Sequence, residues 1–179
     1  MNKSVDPLVS DLAAGQLEAF GQLYDQYAGR LFAAALRMLR RRECAEDVVQ
    51  EVFVAMVRSR HRLSDVEDLT AYLFATLRHA VAQHASRRTR LPIVNEPAED
   101  LAVTFPDQPD SRRDELRDAI ANLPSAQRDV IALKIDGELT FAQIGQAIGV
   151  STNTAASRYR YALEKLRANF QASSKGETD

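Results

Sequence analysis

The sequence predicts an all-α protein of two small helical domains joined by a flexible acidic linker. Apolar residues recur three and four positions apart, neither domain shows strand-like alternation, and a proline-rich acidic segment separates the two helical patterns. A chain of 179 residues, 45% of them hydrophobic, can hold one ordinary domain or two small ones. We therefore place a first domain at 16–90, the linker at 91–111 and a second domain at 112–170.

Composition excludes several classes of protein. The single cysteine, Cys44, cannot form an internal disulfide, which fits a reducing cytosol. The first 16 residues include Asp6 and Asp11 and lack the continuous apolar stretch of a signal peptide. No run of about eighteen apolar residues predicts a membrane span. We expect a soluble cytoplasmic protein without membrane insertion.

Charge is distributed unevenly along the chain. The segment 91–111 contains four of the six prolines and five acidic residues but no Lys or Arg, while the whole chain has a net charge of −2. The rest of the chain is therefore net positive. Because proline and self-repulsion both extend a chain, the segment is predicted to be an extended linker.

Three helices are predicted in the first domain. The first has one apolar face over residues 20–39, and that face includes Tyr24. The second follows the basic break RRRE and is expected to turn Val57 inward with its other apolar residues. The third begins after Asp68, a suitable N-cap, and ends in a basic stretch.

Two groups of charged residues stand out on these helices. The second helix carries an outward acidic and amide stripe, for which a solvated face is the alternative interpretation: Glu46, Asp47, Gln50 and Glu51. The third helix ends in arginines that suit the helix dipole and can also hold phosphates: Arg87, Arg88 and Arg90.

In the second domain, the stretch TFAQIGQAIGVSTNTAASRYRYALEKLR (140–167) predicts a helix-turn-helix. Thr140 and Gln143 form a capping box, Gly149 supplies a left-handed stop, and Ser151 caps the second helix. That helix begins with small polar and basic residues, as a recognition helix does when its N-terminal residues enter the major groove of DNA. The alternative is an ordinary surface helix with a polar cap.

From about residue 16 to residue 170 the chain resembles a bacterial sigma factor of the extracytoplasmic-function group (group 4) in the sigma-70 family. AEDVVQEVFVAMVR (45–58) is similar to the family's signature for docking on the coiled coil of the largest RNA polymerase subunit. The stretch 123–167 is similar to the domain that reads the upstream promoter element. The resemblance implies that core RNA polymerase and promoter DNA are partners, and it allows for an anti-sigma factor that clamps both domains.

The resemblance also implies three sets of site residues. Polymerase binding falls on residues of the second helix: Asp47, Gln50, Glu51 and Phe53. Opening of the downstream promoter element, with an everted base held by the loop 62–69, falls on Ser64, Asp65, Tyr72, Arg78, His79, Arg87 and Arg88. Upstream readout falls on the recognition helix, with base contacts from Asn153, Ser157 and Arg158 and positioning by Thr152, Arg160 and Tyr161.

Three positions depart from the family pattern. Tyr72 stands where the family usually has tryptophan, and core packing is the alternative role for it. His79 follows Arg78 where an Arg-Asn pair is common, and Ala156 stands where relatives often have lysine. The promoter sequence therefore cannot be copied from relatives.

No catalytic site, cofactor or metal site is predicted. His61, His79 and His84 lack the i, i+4 spacing that places two ligands on one helical face, and no glycine-rich phosphate loop is present. We expect no enzyme activity. Two alternatives from other classes remain, namely a standalone helix-turn-helix regulator and a helical adaptor that binds only proteins.

Overall fold

The computed structural model describes residues 6–90 and 111–176, and every regular element in these residues is helical. The predicted all-α fold is confirmed. The helices are α1 (Pro7–Ala14), α2 (Leu17–Leu39), α3 (Arg42–Arg58), a 3-10 helix (Arg60–Asp65), α4 (Leu69–Arg90), α5 (Ser111–Ala121), α6 (Ser125–Ile131) with a π-helical extension (Ala132–Asp136), α7 (Phe141–Ile148) and α8 (Thr152–Gly176). Residues 91–110 of the predicted linker lie outside the described residues.

Helices α2, α3 and α4 form the first domain around a shared apolar core. Leu31 of α2, Val52 of α3 and Leu73 of α4 are fully buried in this core. Asp68 caps α4 as predicted, since its carboxylate accepts a hydrogen bond from the amide of Ala71 at 2.9 Å. The three helices predicted between residues 16 and 90 are therefore all present.

Helix α1 is absent from the sequence-based prediction, which begins the first domain at residue 16. Asp6 caps α1 by accepting a hydrogen bond from the amide of Leu8, and Pro7 occupies its first turn. The helix packs against the 3-10 helix, and Leu12 of α1 and Leu63 of the 3-10 helix are both fully buried. Eight residues are too few for a periodic pattern to separate a helix from a loop.

Two apolar residues predicted to be buried are exposed, so that part of the prediction is wrong. Tyr24 is 56% exposed and Val57 is 46% exposed. The Tyr24 ring lies on the surface against Phe53, with 5.0 Å between the ring centroids. Periodicity identifies the apolar face of a helix, but the packed area of α2 and α3 is narrower than that face.

The second domain contains the predicted helix-turn-helix in α7 and α8. The capping box of Thr140 and Gln143 is complete, and Gly149 ends α7 in the left-handed conformation with φ of 70°. Ser151 caps α8 by accepting a hydrogen bond from the amide of Thr154 at 3.0 Å. These three local predictions are confirmed.

Gly145 on α7 sets how closely the turn approaches the helix. A Cβ atom at this position would lie 2.7 Å from the carbonyl oxygen of Val150 and 3.2 Å from the amide nitrogen of Thr152. Both neighbours are backbone atoms and cannot rotate away. The Gly145→Ala variant is expected to lose about 1 to 3 kcal/mol of unfolding free energy, as measured by urea denaturation.

The matched control is Gly21→Ala on α2, because a Cβ there would meet no atom within 4 Å apart from its chain neighbours and the nearby backbone of its own helix. This control is expected to gain about 0.5 to 1 kcal/mol from lower backbone entropy in the unfolded chain. Equal stability changes in the two variants would contradict a steric role for Gly145.

The two domains pack directly against each other. Phe74 of α4 and Leu133 of the π-helical extension belong to one continuous apolar cluster and are both fully buried. At Gly137 a Cβ atom would lie 2.9 Å from Cε1 of Phe74, so the backbone of the second domain touches that ring. This packing decides which surfaces of α4 and α8 are open to partners.

Candidate functional site

The acidic stripe on α3 forms one wall of a groove. Asp47 and Gln50 are exposed and Glu51 is half-buried, and we call these three residues the acidic surface. They line a groove of about 1030 Å³ between α3 and α4. Arg87 of α4 crosses this groove, with its Nη1 atom 3.2 Å from Oε1 of Glu51. The acidic surface is therefore only partly neutralised within the chain.

Apolar side chains border the acidic surface, and sequence reasoning missed them. Val54 and Val57 are both 46% exposed, and Val54 lines the same groove. Phe53, a predicted polymerase contact, is half-buried, and its ring contacts the ring of Tyr24. Residues three and four apart on a helix share one face, so the charged and apolar groups form a single surface. A surface of this composition suits a protein partner more than solvent.

The residues predicted for the downstream promoter element lie in three separate places. Ser64 and Asp65 are exposed on the 3-10 helix. Tyr72 is half-buried in the α3–α4 groove, where its hydroxyl is 3.5 Å from Oγ of Ser59. Arg87 pairs with Glu51, and the side chain of Arg88 lies outside the described part of the chain.

The remaining two residues of this set, Arg78 and His79, line a cavity of about 330 Å³ that faces the second domain. Arg78 and His79 therefore lie on a different face of α4 from the one that lines the groove between α3 and α4.

The predicted loop at 62–69 is partly regular, and in this respect the prediction is wrong. Residues 60–65 form a 3-10 helix because Leu63 is fully buried and anchors the segment below α1. The amide of Val66 closes the turn by donating to the carbonyl of Leu63 at 3.0 Å. Ser64 and Asp65 are presented on a fixed backbone turn.

The start of α8 presents the predicted recognition residues to solvent. Thr152, Asn153 and Arg160 are exposed, whereas Ser157 and Arg158 are partly buried. The remaining member of the set, Tyr161, is also exposed, and its ring lies below the Arg160 guanidinium carbon at 5.4 Å. The opposite side of α8 is held in the second domain by Ala155, Ala162 and Leu166.

A buried acid lies between the two domains, and sequence reasoning missed it. Asp129 of α6 is only 6% exposed, and its Oδ2 atom accepts from Nε of Arg78 at 2.7 Å. Burial raises the pKa of the Asp129 carboxyl, while the guanidinium groups of Arg78, Arg128 and Arg158 lower it in part. The sequence did contain a signal for this buried acid, because Asp129 directly precedes Val130 and Ile131 of the apolar stripe.

Residues 6–90 and 111–176 contain neither a metal-ligand cluster nor a membrane span. No group of three or more His, Cys, Asp or Glu side chains in these ranges could hold a metal ion. Within the same ranges, no helix has the length and apolar character needed to cross a membrane.

The structure combines a helical bundle with a helix-turn-helix, a motif that many DNA-binding proteins share. The Sigma-70 region 2 family matches residues 23–91, and the Sigma-70 region 4 family matches residues 119–168. The RNA polymerase sigma factor CarQ of Myxococcus xanthus is 32% identical over 158 residues, covering 86% of this chain and 90% of CarQ. The chain belongs to the sigma-70 family of RNA polymerase sigma factors, in its extracytoplasmic-function group.

Other relatives agree with this assignment. The ECF RNA polymerase sigma factor SigK of Mycobacterium tuberculosis (strain ATCC 25618 / H37Rv) is 24% identical over 176 residues, covering 93% of this chain and 94% of SigK. The chain is accordingly a sigma factor with core RNA polymerase and promoter DNA as partners in transcription initiation.

Two solved structures share the fold. CnrH in complex with the cytosolic domain of CnrY superposes with a TM-score of 0.67 at 24% identity, covering 92% of this chain and 96% of CnrH. The sigma factor RpoE of Bartonella quintana, in complex with the anti-sigma factor NepR, gives a TM-score of 0.65 at 20% identity, covering 87% and 98%.

Proposed function

We propose that α3 docks on core RNA polymerase through the acidic surface of Asp47, Gln50 and Glu51 and through Phe53. The proposal depends on one face of α3, where the exposed Asp47 and the half-buried Glu51 adjoin the exposed Val54 and Val57. Complementary charge would speed encounter with a basic helical partner and fix the register, while the valines would add apolar contact area.

The first domain is proposed to open the downstream promoter element. Ser64 and Asp65 would give hydrogen bonds to an everted base, which must offset a few kcal/mol of lost stacking. Tyr72 offers a half-buried ring in the adjoining groove, and Arg87 and Arg88 would hold phosphates. Arg78 and His79 would complete the contact from the other face of α4.

The second domain is proposed to read the upstream promoter element with the start of α8. Asn153, Ser157 and Arg158 would contact base edges in the major groove. The other three residues, Thr152, Arg160 and Tyr161, would fix the helix on phosphates. Sequence would then be read by the first group, and register set by the second.

We place this activity in the cytoplasm and assign the chain no catalytic step, cofactor or metal, because the polymerase carries out the chemistry. An anti-sigma factor is proposed as a further partner, since the similar RpoE was crystallised with one. The standalone helix-turn-helix regulator is the less favoured function, because it gives no role to the exposed valines beside the acidic surface.

The decisive experiment is co-purification of the chain with core RNA polymerase, followed by run-off transcription from a promoter library. Binding together with new start sites is the expected result. DNA binding without polymerase binding would favour the standalone regulator, and polymerase binding without transcription would contradict promoter opening by this chain.

A further inference from the structure

Helix α1 packs mainly against the 3-10 helix and also contacts α2. Val9 and Leu12 of α1 and Leu63 of the 3-10 helix are buried in one apolar cluster. Val66, which directly follows the 3-10 helix, is half-buried against the same cluster. The 3-10 helix is therefore anchored in a core to which α1 contributes.

The side chain of Arg60, the first residue of the 3-10 helix, contacts the end of α1. Gly15 ends α1 in the left-handed conformation with φ of 79°, and its amide donates to the carbonyl of Leu12 at 3.0 Å. A Cβ atom at Gly15 would lie 3.2 Å from Nε of Arg60. A cation is favoured at this position because the C-terminal end of a helix is partly negative. The two helices therefore meet at a polar end as well as in the apolar core.

The 3-10 helix has little stability of its own. Its hydrogen bonds have poorer geometry than those of an α-helix, and long runs of this type are uncommon. The amide of Val66 closes its last turn by donating to the carbonyl of Leu63 at 3.0 Å. Short helices in proteins depend on tertiary packing for most of their stability. Ser64 and Asp65 directly follow Leu63 and are exposed, so their position depends on how firmly Leu63 is held.

We propose that α1 is a positioning element for promoter opening, because it holds the 3-10 helix in the conformation that presents Ser64 and Asp65 to an everted base. The inference rests on the proposed function in one respect, the contact of these two residues with that base. A pocket rejects a wrong base only if its hydrogen-bonding groups are held in place by their support. The packing of α1 therefore sets how strongly one position of the downstream element is read, without contact between α1 and DNA.

The first test breaks α1 at an exposed position. The amide of Ser10 donates to the carbonyl of Asp6 at 3.2 Å, and proline at position 10 would remove this hydrogen bond and clash with the preceding turn. Ser10→Pro is expected to lower the preference for the best everted base about tenfold, which equals about 1.4 kcal/mol and lies within the effect of one mismatched base pair. Selection of the holoenzyme on a promoter library randomised in both elements measures this preference.

The same selection contains two controls. Base preference in the upstream element is expected to be unchanged in Ser10→Pro, because α1 lies in the first domain. Ser10→Ala keeps the backbone hydrogen bond and is expected to read both elements as the parent does. Unchanged downstream preference in Ser10→Pro, or an equal loss of preference in both elements, would overturn the role of α1.

Deuterium exchange in the free chain tests the structural step. The amide of Val66 is expected to exchange about tenfold faster in Ser10→Pro, because local opening of the 3-10 helix breaks its hydrogen bond to Leu63. The amide of Leu73 in the core of α4 is the internal reference and is expected to keep its exchange rate. Parent-like exchange at Val66 would contradict the support of the 3-10 helix by α1.

Leu12→Ala weakens the packing of α1 without a proline, and it decides the question if Ser10→Pro loses its helical circular dichroism. Its matched control, Leu31→Ala, removes the same side-chain atoms from a fully buried leucine of α2. Both variants are expected to lose stability, but only Leu12→Ala is expected to relax the downstream base preference. The same preference in the two folded variants would overturn the inference.

The combined Ser64→Ala and Asp65→Ala variant tests the proposed function separately, in the same promoter selection. No change of downstream preference in this variant would refute the proposed contacts of Ser64 and Asp65. A relaxed preference in this variant, together with parent-like preference in Ser10→Pro and Leu12→Ala, would leave those contacts standing and refute the role of α1 alone.

Discussion

Replacing both Asp47 and Glu51 with lysine is expected to weaken binding to core RNA polymerase about a hundredfold or more. Each substitution turns an attraction toward a basic partner into a repulsion, and losing a desolvated interfacial charge pair costs about 2 to 5 kcal/mol. A loss of about 2.7 kcal/mol is already a hundredfold in Kd. Fluorescence anisotropy of the labelled chain, titrated with core polymerase, measures the change.

The structure adds a control within this prediction. Glu51 pairs with Arg87, so Glu51→Lys also places two cations side by side on α3 and α4. Asp47→Lys has no such effect on Arg87 and isolates the contribution of the interface. A second control, Glu18→Lys with Asp25→Lys on exposed positions of α2, makes the same change in net charge. Parent-like affinity in the Asp47 and Glu51 double variant, with native circular dichroism, would contradict the assignment.

Alanine at Asn153, Ser157 and Arg158 together is expected to abolish sequence-specific reading of the upstream promoter element. Each base contact contributes about 1 to 3 kcal/mol of discrimination, so loss of all three would bring specific binding close to non-specific binding. Arg158 alone should relax preference at one base position. Selection of the holoenzyme on a randomised promoter library measures the preference at every position.

Arg160→Ala is the matched comparison, because Arg160 is exposed on the same helix but assigned to a phosphate. It is expected to weaken binding uniformly across sequences and to lower the salt slope by about 1. If Arg158→Ala instead weakens binding equally for all promoter sequences, Arg158 contacts a phosphate. The assignment of Arg158 to a base and Arg160 to a phosphate would then be wrong.

Local signals in the sequence were sufficient for the start and end of α7 and for the starts of α4 and α8. The capping box of Thr140 and Gln143, the stop at Gly149 and the cap at Ser151 all act over three or four residues. Such signals depend on hydrogen bonds to nearby backbone and need no knowledge of tertiary packing. The same is true of Asp68 at the start of α4.

Contacts between distant parts of the chain had no signal of this kind. Arg37 and Asp136 are 99 positions apart, and Arg30 and Gly137 are 107 apart. Periodicity placed Tyr24 on the apolar face of α2. It could not show that only part of this face is covered by other helices, which leaves Tyr24 exposed. The acidic surface was predicted from residue types, whereas the ion pair between Arg87 and Glu51 was seen only in the structure.

Asp68 serves two helices with its two carboxylate oxygens. One oxygen caps α4, and the other accepts from Gln143, whose side-chain oxygen in turn accepts from the amide of Thr140 at the start of α7. The effect of substituting Asp68 is therefore not confined to α4, because loss of its carboxylate removes hydrogen bonds at the starts of both α4 and α7. In a double-mutant cycle, Asp68 and Thr140 would be non-additive although they are 72 positions apart in the sequence.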